Sequence, residues 1–160
     1  MTIEVTAVDH IYVAVTDIDS SERFYDAVMK LLGFRKGIFP INNERHLHYF
    51  NRVTQYTIRP ARADAPSHDP YSPGLHHVCL RVPTPADVDA VARGLHDLGV
   101  DASDPKFYPE YADDYYATFF TDPDGIRLEI VALRRLRTLV REHWHELTEF
   151  ENPVRKAGLA

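Results

Sequence analysis

The feature that most constrains the fold of this chain is an internal repeat. The run Val8–Val15 (VDHIYVAV) matches the run Leu75–Val82 (LHHVCLRV) at an offset of 67 residues. In each copy an amphipathic stretch follows and ends at a glycine, Gly33 in the first copy and Gly99 in the second. Because a unit of about 65 residues is too small to close a good core alone, the repeat predicts one duplicated domain with a shared core.

Each copy is predicted to fold as a β-α-β-β-β module. A helix-start signal follows the first strand of each copy, a capping-box pattern at Asp19–Glu22 and a Thr-Pro pair at Thr84–Pro85. The predicted strands are residues 8–16, 34–39, 45–52 and 54–61, then 75–82, 100–107, 115–121 and 126–132. Proline-rich residues separate the copies. The predicted boundaries are module one 5–62, linker 63–74, module two 75–133 and a C-terminal helix 134–150.

Charge and composition exclude several classes of partner. The chain has 18 Lys and Arg against 24 Asp and Glu, a formal charge of -6, which gives no attraction to nucleic acid or anionic membranes. No apolar run approaches the ~20 residues of a membrane span, so a soluble cytoplasmic protein is expected. The single cysteine, Cys79, fits a reducing compartment and leaves any metal to histidine and carboxylate ligands.

Strand alternation sorts the side chains of the repeated strands onto two faces. In the first strand the apolar residues take one face, which leaves His10 and Tyr12 on the other. His77 has the position of His10 in the second copy, and Glu129 lies on the same face of the last strand. A strand histidine is more often a half-buried, hydrogen-bonded residue than a ligand, but here both copies carry it. Two imidazoles and one carboxylate form a 2-His-1-carboxylate set, which suits Fe(II), Mn or another borderline divalent ion.

Four segments of the chain carry a family resemblance. They are Asp9–Val15, Phe24–Tyr25 with Leu32–Phe34, His76–Val82, and Phe119–Glu129 (FFTDPDGIRLE). The chain resembles the vicinal oxygen chelate superfamily over residues 5–133; this superfamily includes glyoxalase I, bleomycin-resistance proteins, fosfomycin-resistance enzymes and extradiol dioxygenases. The resemblance implies an α+β fold in which two tandem βαβββ modules form an open eight-stranded half-barrel around a cleft, here with an added C-terminal helix. It also implies a homodimer and a divalent metal ion (Fe, Mn, Zn or Ni) on ligands that match His10, His77 and Glu129.

The subfamilies of this superfamily differ in ligand number and in acid-base residues. Glyoxalase I takes a fourth ligand from the first module, at a position that falls near Gln55 or Thr57, and neither is a carboxylate. A set of three ligands resembles the extradiol dioxygenases and the fosfomycin-resistance enzymes. The extradiol pattern has a tyrosine ten residues before the ligand glutamate, where this chain has Phe119. His48 and Tyr116 are the candidates to take over its acid-base role.

The substrate is expected to be small, oxygen-chelating and anionic. Arginines on the predicted non-core face can bind an anionic group in bidentate fashion. The candidates for substrate binding are Arg59, Arg81 and Arg127, together with Tyr12, Gln55 and Thr57. We expect a divalent-metal-dependent lyase, isomerase or dioxygenase in which the metal acts as a Lewis acid on two vicinal oxygens. The alternative is a bleomycin-resistance-like protein that binds a small molecule without catalysis; the three filled ligand positions favour the enzyme.

Overall fold

Each half of the repeat folds into a four-stranded sheet with one helix packed on it, in a computed structural model that describes residues 3–159. The strands are β1 (His10–Val15), β2 (Arg35–Ile38), β3 (Leu47–Phe50), β4 (Gln55–Pro60), β5 (His77–Val82), β6 (Lys106–Phe107), β7 (Tyr116–Thr121) and β8 (Arg127–Ala132). The helices are α1 (Ile18–Leu31), α2 (Pro85–Asp97), α3 (Arg135–Glu142) and α4 (Pro153–Lys156), with a 3-10 helix at Trp144–Glu146. None of the helices in the described part of the chain has the length and apolar character needed to cross a bilayer.

The two sheets have the same topology. The strand order is β1-β4-β3-β2 in module one and β5-β8-β7-β6 in module two. In each sheet the first and last strands of the module pair in parallel, and the other pairs are antiparallel. This confirms the predicted α+β fold of two tandem βαβββ modules with a C-terminal helix.

Helix α1 begins earlier than the capping-box pattern predicts. Its N-cap is Asp17, whose Oδ1 accepts hydrogen bonds from the backbone N–H groups of Asp19 and Ser20 at 3.0 and 3.2 Å. The predicted box at Asp19–Glu22 is wrong because Asp17, still extended after β1, reaches the free N–H groups first. The carboxylates of Asp19 and Glu22 are then free to form ion pairs with Arg45.

Helix α2 begins at the predicted signal. Thr84 Oγ1 accepts a hydrogen bond from the backbone N–H of Asp87 at 3.2 Å, and Asp87 Oδ2 accepts one from the backbone N–H of Thr84 at 2.9 Å. These two bonds form a reciprocal capping box, with Pro85 at the first helical position.

We expect Thr84→Ala to lower the free energy of unfolding by about 1 kcal/mol, because one N-cap acceptor is lost. Thr84→Ser retains the hydroxyl and should stay close to the wild-type value. Urea unfolding followed by circular dichroism measures both variants. Equal loss in the serine and alanine variants would contradict a capping role of the hydroxyl.

Two predicted elements lose more than half of their predicted length in the structure. Strand β6 has only two residues instead of the predicted 100–107, because Pro105 has no N–H group to donate to a ladder. The C-terminal helix ends at Glu142 rather than near residue 150. After it, His143 Nδ1 lies 2.8 Å from Glu146 Oε1 and the chain continues as the 3-10 helix.

The core is one cluster of buried side chains that runs through both modules. It contains residues of the first strand, last strand and helix of each module: Val13, Val15, Ile58, Tyr25, Val28, Val78, Leu128, Ile130, Val88 and Leu95. The helices also join the modules directly. A Cβ atom on Gly94 of α2 would lie 2.6 Å from Leu31 Cδ1 of α1, so the two helices pack closely at this glycine. Tyr25 of α1 donates its hydroxyl proton to Asp122 Oδ2, at the end of β7, at 2.8 Å.

Candidate metal centre

Two of the three predicted metal ligands lie together on the sheet of module two. His77 begins β5 and Glu129 lies on β8; His77 Nε2 is 3.3 Å from Glu129 Oε2. The Glu129 side chain is only 2% exposed, and among residues 3–159 no Lys or Arg nitrogen lies within 4.0 Å of its carboxylate, which faces the imidazole of His77. A buried carboxylate without a Lys or Arg partner is costly. The pair therefore has the chemistry of a site that accepts a cation.

Two further side chains hold this pair in place. The hydroxyl of Tyr115 donates a hydrogen bond to Glu129 Oε1 at 2.5 Å. Burial and the bond to Glu129 raise the pKa of Tyr115 well above its usual value, so the hydroxyl keeps its proton and remains a donor. His76 Nδ1 lies 2.7 Å from His77 Nδ1, which leaves the Nε2 atom of His77 directed towards Glu129.

His10, the third predicted ligand, does not join the pair within one chain. Its side chain is 52% exposed, and its Nδ1 lies 2.9 Å from Asp9 Oδ2. Among residues 3–159, no three His, Cys, Asp or Glu side chains are close enough to hold a metal ion together.

The directions of strands β1 and β5 explain why His10 lies far from His77. Thr16, which follows β1, donates its hydroxyl proton to Asp124 in the turn before β8, and β8 begins beside His77. The end of β1 therefore lies near the start of β5. The start of β1 lies beside the start of β4. A cavity of about 230 Å³ lies between the loop before β4 and the end of β5. His10 and His77 are consequently at opposite ends of strands that run in opposite directions, about one strand length or ~17 Å apart.

The position in module one that corresponds to Glu129 is not a carboxylate. Thr57 pairs with Tyr12 and His48, as Glu129 pairs with Cys79 and Phe119 in module two. Thr57, and not Gln55, therefore has the position equivalent to Glu129. Its hydroxyl accepts a hydrogen bond from Gln55 Nε2 at 2.9 Å and lies 3.2 Å from His48 Nδ1. The buried Thr57 hydroxyl is thus already engaged by its neighbours.

The two candidate acid-base residues lie in different surroundings. His48 is 1% exposed and stacks on Phe39, with ring centroids 3.7 Å apart. Burial lowers the pKa of His48, so the ring is neutral at pH 7 and can accept a proton. Tyr116 lies on the helix side of β7, where its hydroxyl donates to Asp89 Oδ1 at 2.8 Å.

Tyr115, and not Tyr116, is the tyrosine that contacts Glu129, and sequence reasoning missed it. Strand parity is the signal that could have found it. Phe119 pairs with Glu129 across β7 and β8, and residues two and four positions before Phe119 share its face. The residue four positions before Phe119 is Tyr115.

Of the three predicted arginines, only Arg127 shares a cavity with the His77–Glu129 pair. Arg59 Nη2 is paired with Glu44 Oε2 at 2.5 Å, and Arg81 lines the separate 230 Å³ cavity. The cavity beside the pair has a volume of about 530 Å³. It is lined by His76, His77, Glu110, Tyr111, Tyr115, Phe119, Arg127, Glu129 and Arg134.

Comparison with known proteins finds one family model and several solved structures that match this chain. A family model described as the Glyoxalase/Bleomycin resistance protein/Dioxygenase superfamily matches residues 7–130. The chain is also similar to the crystal structure of a glyoxylase/bleomycin resistance protein/dioxygenase domain from Frankia sp. EAN1pec. The TM-score is 0.68 and the identity 21%, over 82% of this chain and 100% of that one. No curated protein matches the sequence.

Two further structures with a similar fold are of proteins that are named for a function. A lactoylglutathione lyase from Agrobacterium tumefaciens has a TM-score of 0.59 and 16% identity, over 80% of this chain and 94% of that one. A fosfomycin resistance protein from Listeria monocytogenes, a point mutant complexed with Mn(II) and 1S,2S-dihydroxypropylphosphonic acid, has a TM-score of 0.62 and 14% identity. That match covers 85% of this chain and 98% of the other. At these identities the similarity is one of fold.

Proposed function

Since this chain belongs to the glyoxalase/bleomycin resistance protein/dioxygenase superfamily, we propose that it is a divalent-metal-dependent enzyme acting on a small substrate with two neighbouring oxygen atoms. The observation that carries the proposal is the buried Glu129 carboxylate beside His77 Nε2, without any Lys or Arg partner in residues 3–159, in a cavity of about 530 Å³. One imidazole and one carboxylate suit Fe(II), Mn, Zn or Ni. The reaction class is a lyase, an isomerase or a dioxygenase.

The proposal includes a homodimer, in which a second copy completes the site. The geometry of one chain separates His10 from His77 by about one strand length, ~17 Å, although both histidines lie on the same type of face. A two-fold dimer can bring the module-one face of one copy against the module-two face of the other, and it does so twice. Each site would then hold His10 of one copy with His77 and Glu129 of the other.

Each residue has a role in this arrangement. A divalent ion held by His10, His77 and Glu129 supplies a Lewis acid for the two substrate oxygens. Tyr115 fixes the orientation of the Glu129 carboxylate by donating to Oε1. His76 engages Nδ1 of His77 and so leaves its Nε2 available. His48, neutral because its pKa is lowered, is the residue that accepts a proton from the substrate.

Metal analysis of the purified protein tests the proposal. After loading with Mn²⁺, we expect one ion per chain, and a loss of affinity of at least about 100-fold in His77→Ala and Glu129→Ala, because even residues that only support a ligand cost 10–100-fold. The matched controls are His145→Ala and Glu142→Ala, which remove exposed side chains of the same types outside the cavity.

Two outcomes would contradict the metal-dependent enzyme. One is full metal content in either cavity variant. The other is a wild-type protein that binds none of Mn²⁺, Fe²⁺, Zn²⁺ and Ni²⁺. Tight binding of a bulky aromatic cation by metal-free protein would instead support a binding protein without catalysis.

A further inference from the structure

We propose that Arg127 and Arg134 form an anion-binding pair in the 530 Å³ cavity, which selects substrates that carry a carboxylate or phosphonate group on a planar apolar body. This inference rests on the proposed function, because it names the substrate class of the same cavity. Arg134 lies beyond residue 130, where the match to the family model ends. The segment after the family domain therefore contributes to the site.

The two arginines lie at the two ends of one row of aromatic side chains. The Arg134 guanidinium is 5.0 Å from the centre of the Tyr115 ring, and the Arg127 guanidinium is 4.1 Å from the centre of the Phe119 ring. Tyr111 and Tyr108 connect these rings through successive centroid distances of 5.0, 6.1 and 5.1 Å. Three of these rings, Tyr111, Tyr115 and Phe119, also line the cavity and give it an apolar wall that an apolar group of the substrate can contact.

Both guanidinium groups contact a ring, but in the described part of the chain neither contacts a carboxylate. Within residues 3–159, Arg127 and Arg134 form no ion pair, and their side chains make no hydrogen bond. A guanidinium held over an aromatic ring still has N–H donors that point outward in the plane of the guanidinium. These donors match a carboxylate or phosphonate, which accepts two parallel N–H bonds.

The charges around the cavity also favour an anion. Its lining includes two carboxylates, Glu129 and Glu110. Glu129 accepts a hydrogen bond from Tyr115, and its charge is the one that the proposed metal ion would neutralise. Glu110 is exposed, so water screens its charge. The arginines therefore hold the unpaired charge that an entering ligand meets.

The structure also shows what keeps Arg134 in place. Arg134 is the N-cap residue of α3, and its own side chain makes no capping bond. Asp114 takes over this role, since its Oδ2 accepts a hydrogen bond from the backbone N–H of Arg135 at 2.5 Å. Because Asp114 directly precedes Tyr115, the start of α3 is fixed to the segment that carries the ring under Arg134.

Binding of three small probes tests this inference. Calorimetric titration of the wild-type protein, with and without Mn²⁺, compares benzoate and phenylphosphonate with the neutral benzamide. We expect at least one of the two anions to bind about tenfold more tightly than benzamide. Arg127→Gln and Arg134→Gln should each reduce that anion's affinity about tenfold without weakening the binding of Mn²⁺, because each removes a positive charge from the cavity. Arg137→Gln, an exposed arginine of α3 outside the cavity, is the matched control.

The outcomes separate this inference from the proposed function. Three results would overturn the anion-binding pair. These are equal affinity for benzamide and both anions, failure of all three probes to bind, and unchanged anion affinity in Arg134→Gln. A protein that binds no divalent metal but still prefers the anions through Arg127 and Arg134 would overturn the metal-dependent enzyme and support the pair. Circular dichroism of each variant is the control for an intact fold.

Discussion

Heterodimers formed from a His10→Ala chain and a Glu129→Ala chain are expected to bind one Mn²⁺ per dimer, although each variant alone binds almost none. If His10 of one copy acts with His77 and Glu129 of the other, one site of this heterodimer loses both residues and the other site keeps all three ligands. If the ligands came from a single chain, every site would lack one of them. Co-expression with two affinity tags isolates the heterodimer, and metal analysis counts the ions.

The reverse arrangement of the same substitutions is the control. A chain that carries both His10→Ala and Glu129→Ala, paired with a wild-type chain, should bind no ion at full affinity, because each site then lacks one residue. A site within one chain would give one ion in this second heterodimer and none in the first. Both heterodimers contain the same two substitutions. A general effect on folding would therefore lower the metal content of both and could not produce one ion in one heterodimer and none in the other.

Asp122→Ala is expected to lower the free energy of unfolding by about 3 kcal/mol. Asp122 is 5% exposed, and its carboxylate accepts three hydrogen bonds, from the Tyr25 hydroxyl at 2.8 Å and from the backbone N–H groups of Asp124 and Ile126 at 3.0 and 2.8 Å. Alanine leaves the buried Tyr25 hydroxyl and the Ile126 N–H without their acceptor. It also removes a contact between α1 and module two. Urea unfolding measures the loss.

Asp122→Asn separates the loss of charge from the loss of acceptors. Burial raises the pKa of Asp122, an effect only partly offset by the hydrogen bond from Tyr25. A carboxyl group whose pKa is higher in the folded state than in the unfolded state is penalised when ionised. This penalty grows as the pH rises from about 3.9 through the folded-state value. The asparagine variant should therefore gain stability relative to the wild type as the pH is raised from 4 to 7. A difference that is constant with pH would contradict a raised pKa.

Strand alternation could predict the faces of the candidate site, but not the ends at which its residues meet. The repeat and its apolar periodicity predict two βαβββ modules, and the structure confirms this fold. Alternation also puts His77 and Glu129 on one face, where they lie 3.3 Å apart. The position of His10 depends instead on how the modules pack, which the contact of Leu31 with α2 at Gly94 helps to set. No local pattern encodes such a contact.

Local patterns also fail where a residue belongs to two elements. In the sequence, Arg134 is one of four arginines of the predicted C-terminal helix, with Arg135, Arg137 and Arg141, and such a group is most simply interpreted as a solvated face. The structure puts it at the junction of β8 and α3, above the Tyr115 ring. The N-cap of α1 is a second example, because the sequence offers both Asp17 and Asp19 for it. Both are good N-cap residues by type, and only the length of β1 decides which of them is in position.

The hydrogen bond between Asp114 and the start of α3 has a consequence for the evolution of this chain. It attaches a terminal segment to the rim of the cavity without involving the strands that carry His77 and Glu129. Changes in the length or sequence of that segment can therefore alter which molecules the cavity admits while the ligand-bearing strands stay the same. Relatives with the same two modules but different termini should differ first in substrate preference, and only later in chemistry.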